Sequence, residues 1–271
     1  RNTHPQHRSK RRLMNLIGHY ACALPHGPAF RLGSVLPDLL GLFSRKPRAT
    51  TFAKFWEGRA GAPAGMEELL AGIRFHHHVD AHFHGAPLFR EHATGLRLRL
   101  QEAQGGPGLK RFFAAHVLIE LYYDHLLLGD NPDLSPGFYA LLDGREGELL
   151  GTFVTSHPDV DGSAFKAFMA RILEGGLIEG YRSMEGVLWR LNRVLLRLGQ
   201  REMTEPEQDA AVSYLEEHGT ALGKGLSRFV AAMQNGQAGA DSHNSPGGAM
   251  MGRSAEPVEE GAPAVQTSQS R

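Results

Sequence analysis

The chain has 271 residues, a length that suits one large domain or two small ones and can bury a sizeable core. Hydrophobic residues make up 41% and charged residues 21%, which is an ordinary globular balance. The formal net charge is zero, so overall charge gives no reason to expect binding to nucleic acid or to an anionic membrane. The single cysteine, Cys22, excludes an intrachain disulfide, and we expect a reducing, cytoplasmic location.

The two ends of the chain differ from its centre in composition. Residues 1–13 are basic and precede Met14, which is typical of a natural start, so we expect a disordered or non-native extension there. Residues 235–271 are rich in Gly, Ser, Ala, Pro and Gln and are predicted to be a disordered tail. Between them, residues 14–234 are predicted to form one folded domain, with no apolar run that is long and clean enough to span a bilayer.

Helical periodicity recurs along this domain, and no alternating strand pattern is evident. Apolar residues at i, i+3, i+4 and i+7 predict a buried helix face from Met66 to Ile73, and another from Phe165 to Ile172. The segment from Thr204 to Glu207 is typical of a capping box with proline in the first turn. Segments 44–63 and 129–137 are predicted to be loops because of their Pro, Gly, Asn and Asp content. The fold class is therefore predicted to be all-α, with a single helical domain.

Histidines are concentrated in one predicted helix. His76, Asp80 and His84 are four residues apart and therefore share one helical face. Imidazole and carboxylate at this spacing can converge on one cation such as Zn²⁺, Mn²⁺ or Fe²⁺. The alternative is a histidine-rich solvated surface, which we expect for four other histidines of the region. These are His77, His78, His82 and His92.

A second polar face lies in the stretch from Arg111 to Leu128, which is apolar almost all round and is predicted to be a buried helix. Its His116, Glu120 and Asp124 are again four residues apart. A buried carboxylate is very costly without a partner, so each one needs a metal or a paired cation. These residues alone leave two interpretations open: a metal site, or a buried network paired with arginine from another helix.

Two further polar residues stand in apolar surroundings near the N-terminus. His19 is typical of a core histidine with satisfied hydrogen bonds, and Asp38, which follows Pro37, is typical of a helix N-cap. Near the C-terminal end of the domain, four arginines share one face of a predicted helix. Such an arginine row is usually solvated, although it can also dock an acidic protein. The row consists of Arg190, Arg193, Arg197 and Arg201.

Four short motifs occur in order within residues 14–128. They are Met14-Asn-Leu-Ile-Gly-His19-Tyr20, Gly33-Ser-Val-Leu-Pro-Asp38, Gly72-Ile-Arg-Phe-His76 with Val79-Asp80, and Tyr123-Asp124-His125-Leu-Leu. Together they resemble the acyl-carrier-protein phosphodiesterase family, a helical, metal-dependent group related to the HD-domain phosphohydrolases. The resemblance implies an HD-domain-like fold and a divalent metal, with Mn²⁺ expected first and Zn²⁺ or Fe²⁺ as alternatives.

The resemblance also implies that the motif residues His19, Asp38, His76, Asp80, Asp124 and His125 gather around the metal, as ligands or as groups that orient ligands. The chain departs from the family pattern at several positions. His77 replaces a usual arginine, and Phe83-His84 replaces a common Thr-Asp pair. Glu120 stands where Asp is usual, and His116 has no recognised counterpart. We therefore predict a rewired metal site, with ligands drawn from His19, Asp38, His76, Asp80, His84, His116, Glu120 and Asp124.

The resemblance implies hydrolysis of a phosphoric ester, specifically the removal of 4′-phosphopantetheine from holo-acyl carrier protein. Asp124 or Asp80 is expected to orient a water or to take its proton. His125 or His76 is expected to protonate the leaving alkoxide, and Arg74 to offset charge on the phosphoryl oxygens. The arginine row is a candidate docking surface for the acidic carrier protein. Two alternatives stay open: a nucleotide or lipid phosphate as substrate, and a non-catalytic metal-binding helical protein.

Overall fold

The apolar residues at helical spacing fold as helices in the computed structural model, which describes residues 16–44, 46, 48–103 and 105–236. These residues form eleven α-helices and one 3-10 helix, Glu179–Arg182, and no strand occurs among them. The α-helices are α1 (Leu16–Cys22), α2 (Pro28–Phe43), α3 (Ala49–Trp56), α4 (Met66–Gly85), α5 (Pro87–Glu102), α6 (Arg111–Asp130), α7 (Leu134–Asp143), α8 (Arg145–Thr155), α9 (Gly162–Glu174), α10 (Met184–Arg197) and α11 (Glu205–Gln234). The all-α prediction is confirmed for this part of the chain.

The predicted apolar faces lie in the core. Met66, Leu69, Leu70 and Ile73 are all buried at the start of α4, because their spacing keeps them on one side of the helix. The predicted capping box begins α11: the Thr204 backbone N–H donates to Oε2 of Glu207 at 3.0 Å. This bond satisfies a helix-start N–H that has no partner within the helix.

Both predicted loops were partly wrong. Segment 44–63 contains α3, which forms because Phe52 and Trp56, four residues apart, are both buried on one face. The Trp56 indole Nε1 also donates to the Phe153 carbonyl oxygen at 3.1 Å. Segment 129–137 is helical except between the end of α6 and the start of α7. Of its two prolines, Pro132 lies between the helices and Pro136 lies in the first turn of α7, where a missing backbone N–H costs little.

The structure does not test the predictions about the two ends of the chain. Residues 1–15 and 237–271 lie outside the described part, so the proposed extension at 1–13 and almost all of the proposed tail cannot be compared with it. The last helix, α11, ends at Gln234. Within the described ranges, no helix combines the length and the apolar character needed to cross a membrane.

Helices α2 and α4 approach each other at two glycines. A Cβ atom added to Gly33 would lie 2.1 Å from the Leu69 carbonyl oxygen, and one added to Gly72 would lie 2.1 Å from the Phe30 carbonyl oxygen. Only hydrogen fits at both positions, so the two backbones can touch there. This contact brings the polar residues one turn further along each helix close to one another.

Candidate metal centre

The eight residues predicted as metal ligands lie on four helices, α1, α2, α4 and α6, and six of them form two groups of three. We call the whole set the polar seam; it consists of His19, Asp38, His76, Asp80, His84, His116, Glu120 and Asp124. His19, Asp38 and His76 form the closed triad, and His84, His116 and Glu120 form the open triad. Within each triad the candidate ligand atoms lie within 4.8 Å of one another. No other group of this kind occurs in the described part of the chain.

The closed triad is shielded from solvent. His19, Asp38 and His76 are 3%, 4% and 3% exposed. Nδ1 of His19 lies 3.3 Å from Oδ2 of Asp38. The rings of His19 and His76 stack with their centroids 3.9 Å apart. Asp38 lies inside α2, so its interpretation as a helix N-cap was wrong; the residue belongs to this buried cluster instead.

His76 is held in the form that binds metals. Its Nδ1 lies 2.9 Å from the carbonyl oxygen of Ser34, to which it donates as Nδ1–H. Nε2 then carries the lone pair. Burial, followed by the neighbouring His19, lowers the pKa of His76 to about 3. The imidazole is therefore neutral at physiological pH, as metal ligation requires.

The open triad is built around one carboxylate oxygen. Oε1 of Glu120 lies 2.7 Å from Nε2 of His84 and 3.1 Å from Nε2 of His116. The two rings are parallel, with an interplanar angle of 2° and centroids 4.8 Å apart. The side chains of His84 and His116 are 13% and 24% exposed, whereas that of Glu120 is 4% exposed. Solvent therefore reaches the histidine side of this triad but not the carboxylate.

Glu120 is ionised despite its burial. Burial favours its protonated form, but the hydrogen bonds from His116 and His84 outweigh this effect and hold the pKa of Glu120 below its ordinary value. Both contacts use Oε1. Oε2 is buried and has no hydrogen-bond partner among the described residues. An acceptor in that position is costly unless a proton or a cation approaches it.

Asp124 lies one turn after Glu120 and has a different environment. Its Oδ1 accepts a hydrogen bond from the Gly18 backbone N–H at 2.8 Å, and its Oδ2 one from the Ile17 N–H at 3.3 Å. Burial raises the pKa of Asp124 well above its ordinary value; the nearby Asp38 and Glu120 carboxylates add to this effect, and the two amides oppose it. Asp124 thus anchors the start of α1 immediately before His19.

Asp80 contacts the open triad through His84. Nδ1 of His84 lies 2.7 Å from the Asp80 backbone oxygen and 3.1 Å from its carboxylate Oδ1. Both oxygens belong to the residue one helical turn earlier, so α4 itself fixes the ring. Asp80 is 5% exposed.

The seam therefore differs from the single metal site that the sequence predicted. His76 and His84 are eight residues apart on one helix, so the two triads are separated by about 12 Å along α4. Along α6 the order is reversed, since Glu120 contacts His84 while Asp124 contacts the backbone beside His19. The four-residue spacing correctly predicted that these side chains share one face. That face, however, is too long for all of them to bind a single ion.

Two residues expected to act in catalysis lie away from the triads. Nδ1 of His125 lies 2.8 Å from the Tyr181 carbonyl oxygen, on a different face of α6 from Asp124. Arg74 is exposed, and its position two residues before His76 turns it toward the opposite side of α4. Both positions favour roles outside the triads.

The histidines expected to be solvated do not all fit that interpretation. His77 and His78 are exposed and His82 is half-buried, but His92 is only 6% exposed. Nδ1 of His92 lies 3.1 Å from the Tyr214 hydroxyl. The expectation for His92 was wrong because α5 packs against α11 on that side.

Members of the arginine row have partners within the chain. Arg190 and Arg197 donate to the carbonyl oxygens of Leu177 at 3.4 Å and Leu42 at 3.2 Å. Arg193 pairs with Glu202 at 3.3 Å, and Arg201 pairs with the fully buried Glu207 at 2.6 Å. The prediction that the four arginines share one helix was wrong for Arg201, since α10 ends at Arg197; Arg201 instead has a structural role through its pair with Glu207.

Sequence reasoning missed the groups that orient the ligands. The Ser34 carbonyl oxygen fixes His76, and the backbone N–H groups of Ile17 and Gly18 hold Asp124. Backbone atoms leave no residue-type signal, so these contacts were not predictable. The glycines Gly33 and Gly72 did carry a signal, because glycine inside a helix is disfavoured unless a neighbour needs the space.

No protein-family model matches this chain, and neither a curated protein nor a solved structure matches it. The assignment of a function therefore depends on the residues and their geometry.

Proposed function

We propose that the closed triad binds a divalent transition metal and that the protein is a metal-dependent phosphoric ester hydrolase. The observation that carries the proposal is the convergence of three separate motif segments. His19, Asp38 and His76 come from the first three motifs of the family resemblance, and their candidate ligand atoms lie within 4.8 Å of one another. Two imidazoles and a carboxylate are a donor set that suits Zn²⁺, Mn²⁺ or Fe²⁺.

The surrounding residues fit such an ion. His76 is neutral and oriented by Ser34. A bound divalent ion would supply a Lewis acid for a phosphoryl oxygen and would lower the pKa of a coordinated water. Asp124, fixed by two backbone N–H groups beside His19, is suited to hold a proton at its carboxylate, because its pKa is raised. Burial of these groups excludes bulk water and strengthens their electrostatic interactions.

Holo-acyl carrier protein is the substrate that the resemblance implies, and one surface offers a basic, aromatic contact for such an acidic partner. Trp189 is 56% exposed. The guanidinium carbons of Arg190 and Arg193 lie 5.2 and 5.9 Å from its ring centre. A groove beside Trp189 is lined by Met184 and Leu188 among others. Exposed tryptophan and arginine are typical of residues that dominate protein interfaces.

Two alternatives compete with this proposal. The open triad has residue types that depart from the family pattern, which favours a different phosphate ester, such as a nucleotide or a lipid phosphate. The exposures of 3–4% at the closed triad favour a non-catalytic metal-binding protein, because a closed site leaves little room for a substrate. These alternatives differ in whether metal loading is accompanied by turnover.

The test is a mass-spectrometric assay of the full chain, loaded with Mn²⁺, against holo-acyl carrier protein and a panel of phosphate esters. The Asp38→Asn variant removes a ligand charge from the closed triad, and His82→Ala on α4 serves as the matched control. We expect loss of the phosphopantetheine mass with wild type and control but not with Asp38→Asn. Turnover of another ester alone would change the substrate. Bound metal without any turnover would establish the non-catalytic alternative.

A further inference from the structure

The open triad includes two histidines that the motifs of the resemblance do not contain, and it lies at the other end of the seam from the closed triad. We propose that it is a second, separate transition-metal site, which binds Zn²⁺ or a similar ion. The ligands are Nε2 of His84, Nε2 of His116 and the carboxylate of Glu120, and one position stays open to water. This site does not depend on the function proposed above.

His84 faces more hydrogen-bond acceptors than one neutral imidazole can serve. Oxygen atoms face both of its ring nitrogens: two atoms of Asp80 at Nδ1, at 2.7 and 3.1 Å, and Oε1 of Glu120 at Nε2, at 2.7 Å. A neutral imidazole has one N–H and can donate at only one of these nitrogens. The other nitrogen would then direct its lone pair at an oxygen. A second positive centre is therefore needed beside Nε2, and it is either a proton or a metal ion.

Glu120 has one carboxylate oxygen that neither histidine uses. If protons alone hold the triad, both histidines donate to Oε1, and Oε2 stays buried without a hydrogen-bond partner among the described residues. An unsatisfied buried acceptor costs about 1–3 kcal/mol, and more when it is charged. A cation between the two imidazoles and the carboxylate accepts electron density from either oxygen. The orphaned oxygen therefore favours the metal over the proton.

The two histidines are also oriented as metal ligands are. In metal sites, a ligating histidine almost always donates its other ring N–H to a carboxylate or a backbone carbonyl. Asp80 offers both of these acceptors to Nδ1 of His84. The ring of His116 lies parallel to that of His84, with its Nε2 directed at the same Glu120 oxygen. The three candidate ligand groups thus converge on one point, within 4.8 Å of one another.

Access to the site distinguishes it from the closed triad. His84 and His116 are half-buried, with 13% and 24% of their side chains exposed. An ion can therefore enter from the histidine side, and that side leaves room for a water ligand. Three protein ligands with one open position are typical of catalytic or exchangeable zinc sites rather than of closed structural sites.

The experiment titrates the metal-free full chain with Co²⁺ and follows the visible absorption of the ion, with Zn²⁺ competition to give affinities. Variants are His116→Ala, Asp80→Asn and the control His82→Ala. His82 also lies on α4, and its ring centre is 4.1 Å from that of His78. The control therefore tests whether this neighbouring histidine pair binds the ion instead. We expect His116→Ala to lose one bound ion, Asp80→Asn to weaken it by about 10–100-fold, and the control to match wild type.

The outcomes separate this site from the closed triad. Asp38→Asn should still bind the ion that depends on His116. This expectation holds whether Asp38→Asn abolishes hydrolysis or the wild-type protein shows no hydrolysis. The proposal is overturned if folded His116→Ala, checked by its helical circular dichroism, binds the same number of ions with an unchanged Co²⁺ spectrum. It is equally overturned if the wild-type protein and His116→Ala both bind no ion, since the triad would then be held by protons.

Discussion

Two buried glutamates of this chain have chemically different partners. Glu207 is 0% exposed, and its carboxylate receives hydrogen bonds from Arg201 at 2.6 and 2.9 Å and from the Thr204 N–H at 3.0 Å. Glu120 is 3% exposed, and its described partners are the imidazoles of His84 and His116. Both carboxylates have a pKa held below the ordinary value, in spite of burial, by these hydrogen bonds.

The two kinds of partner differ in whether they can exchange a proton for a metal ion. A guanidinium is permanently charged and uses its donors on the carboxylate, so the Arg201–Glu207 pair is complete in itself. An imidazole can give up its proton and bind a metal in its place. The network paired with arginine, which the sequence left open for α6, occurs instead at the start of α11. At α6 the described partners are groups that a metal ion can use.

The largest expected effect comes from breaking the pair with arginine. Arg201→Ala leaves Glu207 buried without its main cation and should lower the free energy of unfolding by about 3–5 kcal/mol. Urea denaturation measures this loss, which added Zn²⁺ should not restore. Arg193→Ala removes a solvent-exposed pair with Glu202 and should cost at most about 1 kcal/mol. Equal losses in the two variants would contradict the structural role of Arg201.

The next effect concerns the helix contact that assembles the closed triad. Gly72→Ala places a Cβ atom 2.1 Å from the Phe30 carbonyl oxygen, so α2 and α4 must separate. We expect a loss of about 1–3 kcal/mol, together with weaker metal binding at the closed triad and little change at the open one. Gly151→Ala on α8 meets no atom within 4 Å and should instead stabilise by about 0.5–1 kcal/mol. A Gly72→Ala protein as stable as wild type would show that the contact can relax freely.

Just below neutral pH, the protonation of His76 gives a smaller effect, which grows as the pH falls further. Its folded pKa of about 3 lies below the ordinary 6.5, so between these values the unfolded chain binds a proton that the fold excludes. The stabilisation is complete above pH 6.5 and is lost as the pH falls, by about 1.4 kcal/mol per pH unit. In metal-free protein, His76→Gln should flatten this slope in thermal or urea unfolding. A wild-type slope that His76→Gln leaves unchanged would contradict burial of a neutral imidazole.

The last effect has the opposite sign and comes from Asp124. Because its folded pKa is raised, the fold retains a proton that the unfolded chain has already released. The stability of metal-free protein should therefore fall as the pH rises from about 4 toward the raised value. Asp124→Asn cannot ionise and keeps an oxygen for the Gly18 N–H, so its profile should lack this fall. If the profiles coincide, Asp124 is ionised in the metal-free fold. A divalent ion added to wild type should reduce the fall by favouring the carboxylate.

The sequence predicted a large part of the fold and of the seam. The apolar spacing from Met66 to Ile73 and the capping box at Thr204 are local patterns, and both occur as predicted. The loop predicted at 44–63 failed because Phe52 and Trp56 gain burial against helices distant in the sequence. Composition within a short window cannot report that gain.

For the candidate site, the sequence by itself determined which side chains share a helix face. Spacings of four residues placed His76, Asp80 and His84 on one side of α4, and His116, Glu120 and Asp124 on one side of α6, because the helical repeat is a local property. Tertiary structure decided which faces meet. The contact at Gly33 and Gly72, the amide anchors of Asp124 and the division into two triads depend on distances between segments that the chain order does not encode.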